Sequence, residues 1–174
     1  MTIIRASQSS DLPQITNIYG HHVLHGTGTF ELTPPSASEM MQRRDEVLAR
    51  DLPYLVAVEQ ESVRGFAYCN WFKPRPAYRF SAEVSIYLSP DASANGLGRA
   101  MLTELVRRAE QSGVRKLIAV IGDSANAASI GVHRAVGFNE VGVLKSCGWK
   151  FGRWLDVVLM DKALGHGDAT SPQE

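Results

Sequence analysis

Between Arg79 and Leu88 apolar and polar residues alternate, with Phe80, Ala82, Val84, Ile86 and Leu88 on one side and Arg79, Ser81, Glu83, Ser85 and Tyr87 on the other. A period of two is the signature of a strand with one face on a core. An interior strand has both faces covered, so its polar face should border a cleft, and Glu83 is the carboxylate there that could do chemistry. Desolvation raises a glutamate's pKa and lets it accept a proton near neutral pH. A solvated or salt-bridged face, with Glu83 beside Arg79, is the alternative reading of the same pattern.

After this strand comes Asn95-Gly96-Leu97-Gly98-Arg99, which leads into a helix. Free backbone N–H groups and the positive end of a helix dipole can receive phosphate oxygens there, and glycine allows close approach. A dinucleotide fingerprint fails at its third glycine, where Met101 stands, and a simple flexible turn is the other reading. Upstream, Lys73-Pro74-Arg75-Pro76 is a proline-stiffened basic loop. Its cations suit anionic oxygens, or are ordinary surface charge.

These segments need elements to position them. Ser10 and Asp11 precede a helix with Pro13 in its first turn and Leu12, Ile15, Ile18 and Tyr19 on one face. Ser36-Ala37-Ser38-Glu39 has capping-box spacing and opens a second helix to about Arg50. Tyr54 to Val58 and Arg64 to Phe72 flank a polar turn and predict an antiparallel hairpin. The helix after the glycine turn carries Leu97, Met101, Leu105 and Ala109 at i, i+4 spacing. Leu117 to Ile121 reads as a strand, Asp123 to Asn126 as the cap of a helix through His133 to Val136 that Gly137 stops, and Phe138 to Leu144 and Trp154 to Met160 as two last strands. The order β, α, α, β, β, β, α, β, α, β, β implies an α/β (α+β) fold: a mixed sheet of about seven strands flanked by about four helices, its middle β-α-β unit parallel.

The chain has 174 residues, 44% of them apolar and 21% charged, which suits one domain, placed at residues 1–163, with residues 164–174 read as a disordered tail. Eighteen basic residues balance eighteen acidic ones, so no global field favours nucleic acid or an anionic membrane. Cys69 and Cys147 make neither a disulfide framework nor a metal site, and the start Met1-Thr2-Ile3-Ile4-Arg5 has no signal-peptide order. The expectation is a cytoplasmic protein without a membrane span or metal.

Asn95-Gly96-Leu97-Gly98-Arg99-Ala100 resembles the acetyl-CoA pyrophosphate loop of the GNAT N-acetyltransferases, and the element order matches that fold. Thr29-Phe30, Lys73 to Tyr78, Ala82 to Tyr87, Ile118 to Asn126, Ala127 to His133 and Lys150 to Asp156 are similar to the phosphinothricin and methionine sulfoximine acetyltransferase branch, over roughly residues 3 to 163.

The resemblance implies transfer of acetyl from acetyl-CoA to the primary amine of a small amino-acid-like substrate, by a homodimer. Glu83 falls at the branch's base, and His133 at a position that could assist proton transfer or be a structural histidine. Ile86, Tyr87 and Leu88 would pair with the pantetheine arm, Ala94, Asn95, Gly96, Leu97, Gly98 and Arg99 would hold the pyrophosphate, and Asn126 would bond the arm. Phe30, Lys73, Arg75 and Tyr78 would select the substrate. Ser93 departs from the glutamine or arginine usual in that loop, which implies weaker cofactor binding. Two other functions fit the same residues: a non-catalytic acyl-CoA-binding regulatory module, and an acetyltransferase for protein N-termini or lysines.

Overall fold

The computed structural model describes residues 1–92 and 96–172. The chain runs β1 (Ile3–Ala6), α1 (Leu12–His25), α2 (Ala37–Leu48), β2 (Tyr54–Glu59), β3 (Ser62–Trp71), β4 (Ser81–Leu88), α3 (Leu97–Gln111), β5 (Lys116–Gly122), α4 (Ala127–Ala135), β6 (Asn139–Lys150) and β7 (Arg153–Ala163). The described strands form one mixed sheet of seven, in the order β1-β2-β3-β4-β5-β7-β6. This is the element order the sequence pattern predicts, with two short 3-10 turns added at Ser9–Asp11 and Pro76–Tyr78. The second turn explains why β4 starts at Ser81 rather than Arg79: the Arg79 amide donates to Pro76 O at 3.0 Å, which keeps it coiled. The last two strands are longer than expected. Phe151 and Gly152 both take positive φ, 52° and 70°, and form a two-residue turn that lets pairing continue to Lys150 opposite Arg153.

The predicted helix faces are the buried ones. Ile15 of α1 and Met101, Leu105 and Ala109 of α3 have no exposed surface, and they meet Leu55, Phe66 and Leu117 from the sheet. Each large apolar side chain buried this way contributes about 1.5–3 kcal/mol. Ser36 caps α2 with the predicted box, its Oγ accepting from the Glu39 amide and its own amide donating to the Glu39 carboxylate. Beyond β7, Leu164 is buried, its amide donates to Arg115 O at 2.9 Å, and Arg115 Nη2 donates to Thr170 Oγ1 at 3.1 Å.

The feature that positions everything else is where β4 and β5 separate. They pair in parallel only from Ser81 opposite Lys116 to Val84 opposite Ala119. Past that point β4 continues against β3 to Leu88, while β5 continues against β7 to Gly122. The sheet is split at its centre.

Asp11 closes the entrance to α1. It is 5% exposed, accepts two N–H bonds from Arg5, each 2.8 Å, and a third from the Gln8 amide at 2.7 Å. The Arg5 guanidinium and the Gln8 amide hold its carboxyl below the usual range against the opposing effect of burial. Asp11→Asn should therefore lower stability by about 1–3 kcal/mol near neutral pH, measured by urea unfolding. Because the folded pKa is the lower one, this contribution is complete above the unfolded carboxyl pKa and is lost as pH falls through the folded value. The two proteins should converge in stability only in acid.

Candidate active site

The split in the sheet opens into a cleft of about 720 Å³. Glu83 lies on its wall, opposite Asn70 of β3 and beside Ile118 of β5, on the last stretch where β4 and β5 still pair. It is half-buried. Burial pushes its carboxyl up, and the nearby Lys73 ammonium pulls it part of the way back. Tyr68 is also on the wall, and burial together with the Glu83 charge raises its phenol. The geometry brings a desolvated carboxylate to a cavity, as the polar side of the strand pattern predicts.

Past Val84 the simple alternation of β4 stops describing its surroundings. Ile86, Tyr87 and Leu88 all line the cleft, yet Tyr87 also packs against Tyr19 at 5.0 Å, Phe66 at 5.2 Å and His22 at 5.3 Å between ring centroids. The polar face assigned from sequence is here an aromatic layer. His22 Nε2 donates to the Leu88 carbonyl at 2.8 Å, so that carbonyl already has a partner, and burial holds the ring's pKa down.

Gly96 caps α3 with φ +77°, while a Cβ there would meet nothing within 4 Å, so its backbone conformation and not crowding calls for glycine. Gly98 is buried and lines the cleft between Leu88 and Val132. The Ala100 amide bonds Gly96 O at 3.0 Å, so the amides before it open the helix without intrahelical acceptors. Gly96 and Leu97 border a separate hollow of about 210 Å³, and Arg99 is exposed. Ser93, Ala94 and Asn95 lie outside the described residues.

Across the cleft, β5 turns into α4 through Asp123, whose φ of 71° is left-handed and whose carboxylate accepts from the Ala125 amide and from Arg153. Asn126 Oδ1 then caps α4 by accepting from the Ser129 amide at 3.2 Å, and its amide nitrogen faces Gly28. His133 is 3% exposed and lines the cleft. Its Nδ1 donates to Ser129 O at 2.8 Å, which leaves Nε2 as a buried lone pair without a partner. Burial lowers its pKa and keeps the ring neutral.

Phe30 lines the cleft at the end of the loop that follows α1. The other expected substrate residues are not on the wall. Lys73, Arg75 and Tyr78 sit on the exposed loop between β3 and β4, where Lys73 stacks over Phe72 at 4.9 Å and Tyr78 meets the same ring edge-on. Sequence reasoning missed His22, Tyr19 and Tyr68. His22 continues the stripe of Ile15 and Ile18 at i+7 and i+4, and that spacing was the available signal. Among the described residues no cluster of His, Cys, Asp and Glu could hold a metal, and no helix is long and apolar enough to cross a membrane.

A family model described as "Acetyltransferase (GNAT) domain" matches residues 4–159. The chain is 50% identical over 170 residues to phosphinothricin N-acetyltransferase of Alcaligenes faecalis, covering 98% of this chain and 86% of that one. It is 36% identical over 158 residues to L-methionine sulfoximine/L-methionine sulfone acetyltransferase of Pseudomonas aeruginosa, covering 90% and 91%. The crystal structure of a GNAT superfamily phosphinothricin acetyltransferase from Sinorhizobium meliloti in complex with AcCoA superposes with a TM-score of 0.96 at 46% identity, over 99% of this chain and 94% of that one.

The two cleft histidines should differ in a way NMR can read. His22 should show the Nε2–H tautomer and His133 the Nδ1–H tautomer, both staying neutral below the ordinary histidine pKa of about 6.5. A folded pKa below the unfolded one means fewer protons bound when folded, so stability should fall as pH drops below about 6.5. An imidazolium signal for His133 near neutral pH would contradict this geometry.

Proposed function

The chain belongs to the GNAT family of acetyl-CoA-dependent N-acetyltransferases, and we propose that its acceptor is the primary amine of a small amino-acid-like molecule, with Glu83 as the base. One observation carries the reading: Glu83, the neutral His133, Phe30 and the Ile86–Leu88 edge of β4 all line one cleft. The names of the relatives, enzymes acting on phosphinothricin and on methionine sulfoximine or sulfone, point to amino-acid analogues as the first acceptors to try.

The cleft suits a long cosubstrate with an amide-rich arm and phosphates. Beyond Val84 the edge of β4 that faced β5 has lost its strand partner, so backbone groups of Ile86 and Tyr87 are assigned to the arm. The residues Ala94 to Arg99, of which Gly96 caps α3 and Leu97 to Arg99 open it, are assigned to the pyrophosphate. Asn126 keeps its amide nitrogen for the arm while its oxygen caps α4. Bound acetyl-CoA supplies an electrophilic thioester carbonyl. This chain supplies the rest: Glu83 takes a proton from the substrate ammonium, directly or through one water, so that a neutral amine forms beside the carbonyl. His133, whose buried Nε2 has no partner, lines the same cleft and is the second proton acceptor of this reading. Phe30 forms the apolar wall. Lys73, Arg75 and Tyr78, on the exposed loop between β3 and β4, attract and orient the acidic end of the substrate.

Since Glu83 must be ionised to act, kcat/KM should rise with pH through its raised pKa. Glu83→Gln should remove that limb and lower turnover by about 10²–10⁴-fold while sparing acetyl-CoA binding by calorimetry. A thiol-release assay over amino acids and their sulfoximine, sulfone and phosphinate analogues tests the acceptor class. Saturable acetyl-CoA binding with no turnover on any amine would favour the non-catalytic module instead.

The β6–β7 hairpin exposes Val141, Leu144, Trp149, Phe151 and Trp154, with Trp149 and Trp154 paired edge-on at 5.3 Å. An apolar patch on the edge of a sheet supports self-association, and we assign it to a homodimer working in the cytoplasm, where Cys69 and Cys147 stay as thiols. Sedimentation should give a dimer at micromolar concentration and a shift toward monomer for Trp154→Glu; a monomeric parent protein would remove the assignment.

A further inference from the structure

Lys150, the last residue of β6, is 3% exposed although it carries an ammonium. A buried cation normally lies against a carboxylate. Here Nζ instead donates to two backbone carbonyls, Gly26 O and Thr29 O, each at 2.8 Å, and it stands over the Phe151 ring at 5.0 Å. Those carbonyls belong to the loop after α1, and residues 26–30 of that loop all line the cleft. The two bonds span more than a hundred residues of chain, so they are the most non-local polar contacts of the loop.

The same loop is also held by close packing and by other polar contacts. A Cβ at Gly148 would overlap the Phe30 ring, and a Cβ at Gly122 would overlap Thr27 O. Tyr19 Oη lies 3.0 Å from Thr29 Oγ1, and Arg43 donates to Glu31 at 2.7 Å. Neither of these last contacts fixes Gly26, which leaves α1 with extended backbone, φ −108° and ψ 162°. The ammonium ties the start of the loop to Thr29, the residue before Phe30.

We propose that Lys150 is a positioning residue for the acetyl-transfer reaction: its buried ammonium clamps the 26–30 loop by two carbonyls and so holds Phe30 as the wall that sets the acceptor end of the cleft. The proposal rests on the acceptor reading above only in assigning Phe30 to the substrate; the clamp itself is independent of which amine is used. Lys150→Met keeps the side-chain length and removes all three donors. Amide hydrogen exchange on the full-length protein should then rise for residues 26–31 while α3 and β5 keep their protection. With an acceptor amine in hand, KM for the amine should rise about tenfold or more, with kcat much less affected and acetyl-CoA affinity within about twofold.

Gly148→Ala displaces the Phe30 ring directly and leaves the ammonium in place, so it should give the same rise in amine KM, and it decides the matter should Lys150→Met not fold. Lys150→Arg, which keeps the charge and donors, should restore protection of the loop at least in part. Unchanged exchange at residues 26–31 in Lys150→Met would overturn the clamp, whatever the substrate proves to be. Loosened exchange with an unchanged amine KM would overturn the link from loop to acceptor and leave the acetyltransferase assignment standing.

Discussion

The parting of β4 from β5 after Val84 is the constraint on which the rest of the molecule depends. Inside a sheet each strand satisfies its neighbour's N–H and C=O groups, and a buried backbone group left alone is costly. The protein accepts that cost over the end of β4 and limits it locally, since His22 occupies the Leu88 carbonyl. What remains open is a strip of backbone, walled by α1 on one side and α4 on the other, that a ligand with its own amides can complete. The cleft is therefore a consequence of the sheet topology rather than a pit in its surface.

Charge is distributed to match. His22 and His133 are kept neutral by burial, and Tyr19 is pushed up to about 12, so the inner wall presents hydrogen-bonding groups and few formal charges. Glu83 and Asp123 are the exceptions: Asp123 is paired with Arg153, and Glu83 feels the charge of Lys73. In such surroundings a carboxylate interacts more strongly with a proton on a bound ammonium than it would in water. A chain with net charge zero thus hides a strong local polarity.

Period two located β4 and put Glu83 on its cleft side, and period 3.6 located the buried stripes of α1 and α3, because those patterns are written in residues close in sequence. The capping residues Ser36 and Asn126 were equally legible, since a cap is a three-residue interaction. The placements of Tyr87 and Lys150 were not. Tyr87 stands on the polar side of an alternating strand, and only the arrival of α1 turns that side into a layer of rings. Lys150 sits next to an exposed aromatic turn, and its burial depends on a loop from the other end of the chain. The position of the basic loop was not legible either: Lys73, Arg75 and Tyr78 have suitable chemistry, and the turn at Pro76–Tyr78 leaves them exposed and outside the cleft lining.

Glycine unites the fold with the cleft in a way that composition conceals. At Gly65 a Cβ would press on Leu88 Cδ2 at 2.7 Å, Tyr87 O at 3.0 Å and Met101 Sδ at 3.2 Å, so the absence of a side chain lets β3, the end of β4 and α3 close together. Gly122 and Gly148 do the same for the loop that carries Phe30. None of these three has the positive φ for which glycine is usually needed, so their role is close approach of backbone and ring. Three positions without side chains, on β3, β5 and β6, thereby fix the width of the cleft from both sides of the split. A cavity assembled by close approach resists small adjustments: a methyl group added at Gly122 must move backbone, and one added at Gly148 must move the Phe30 ring.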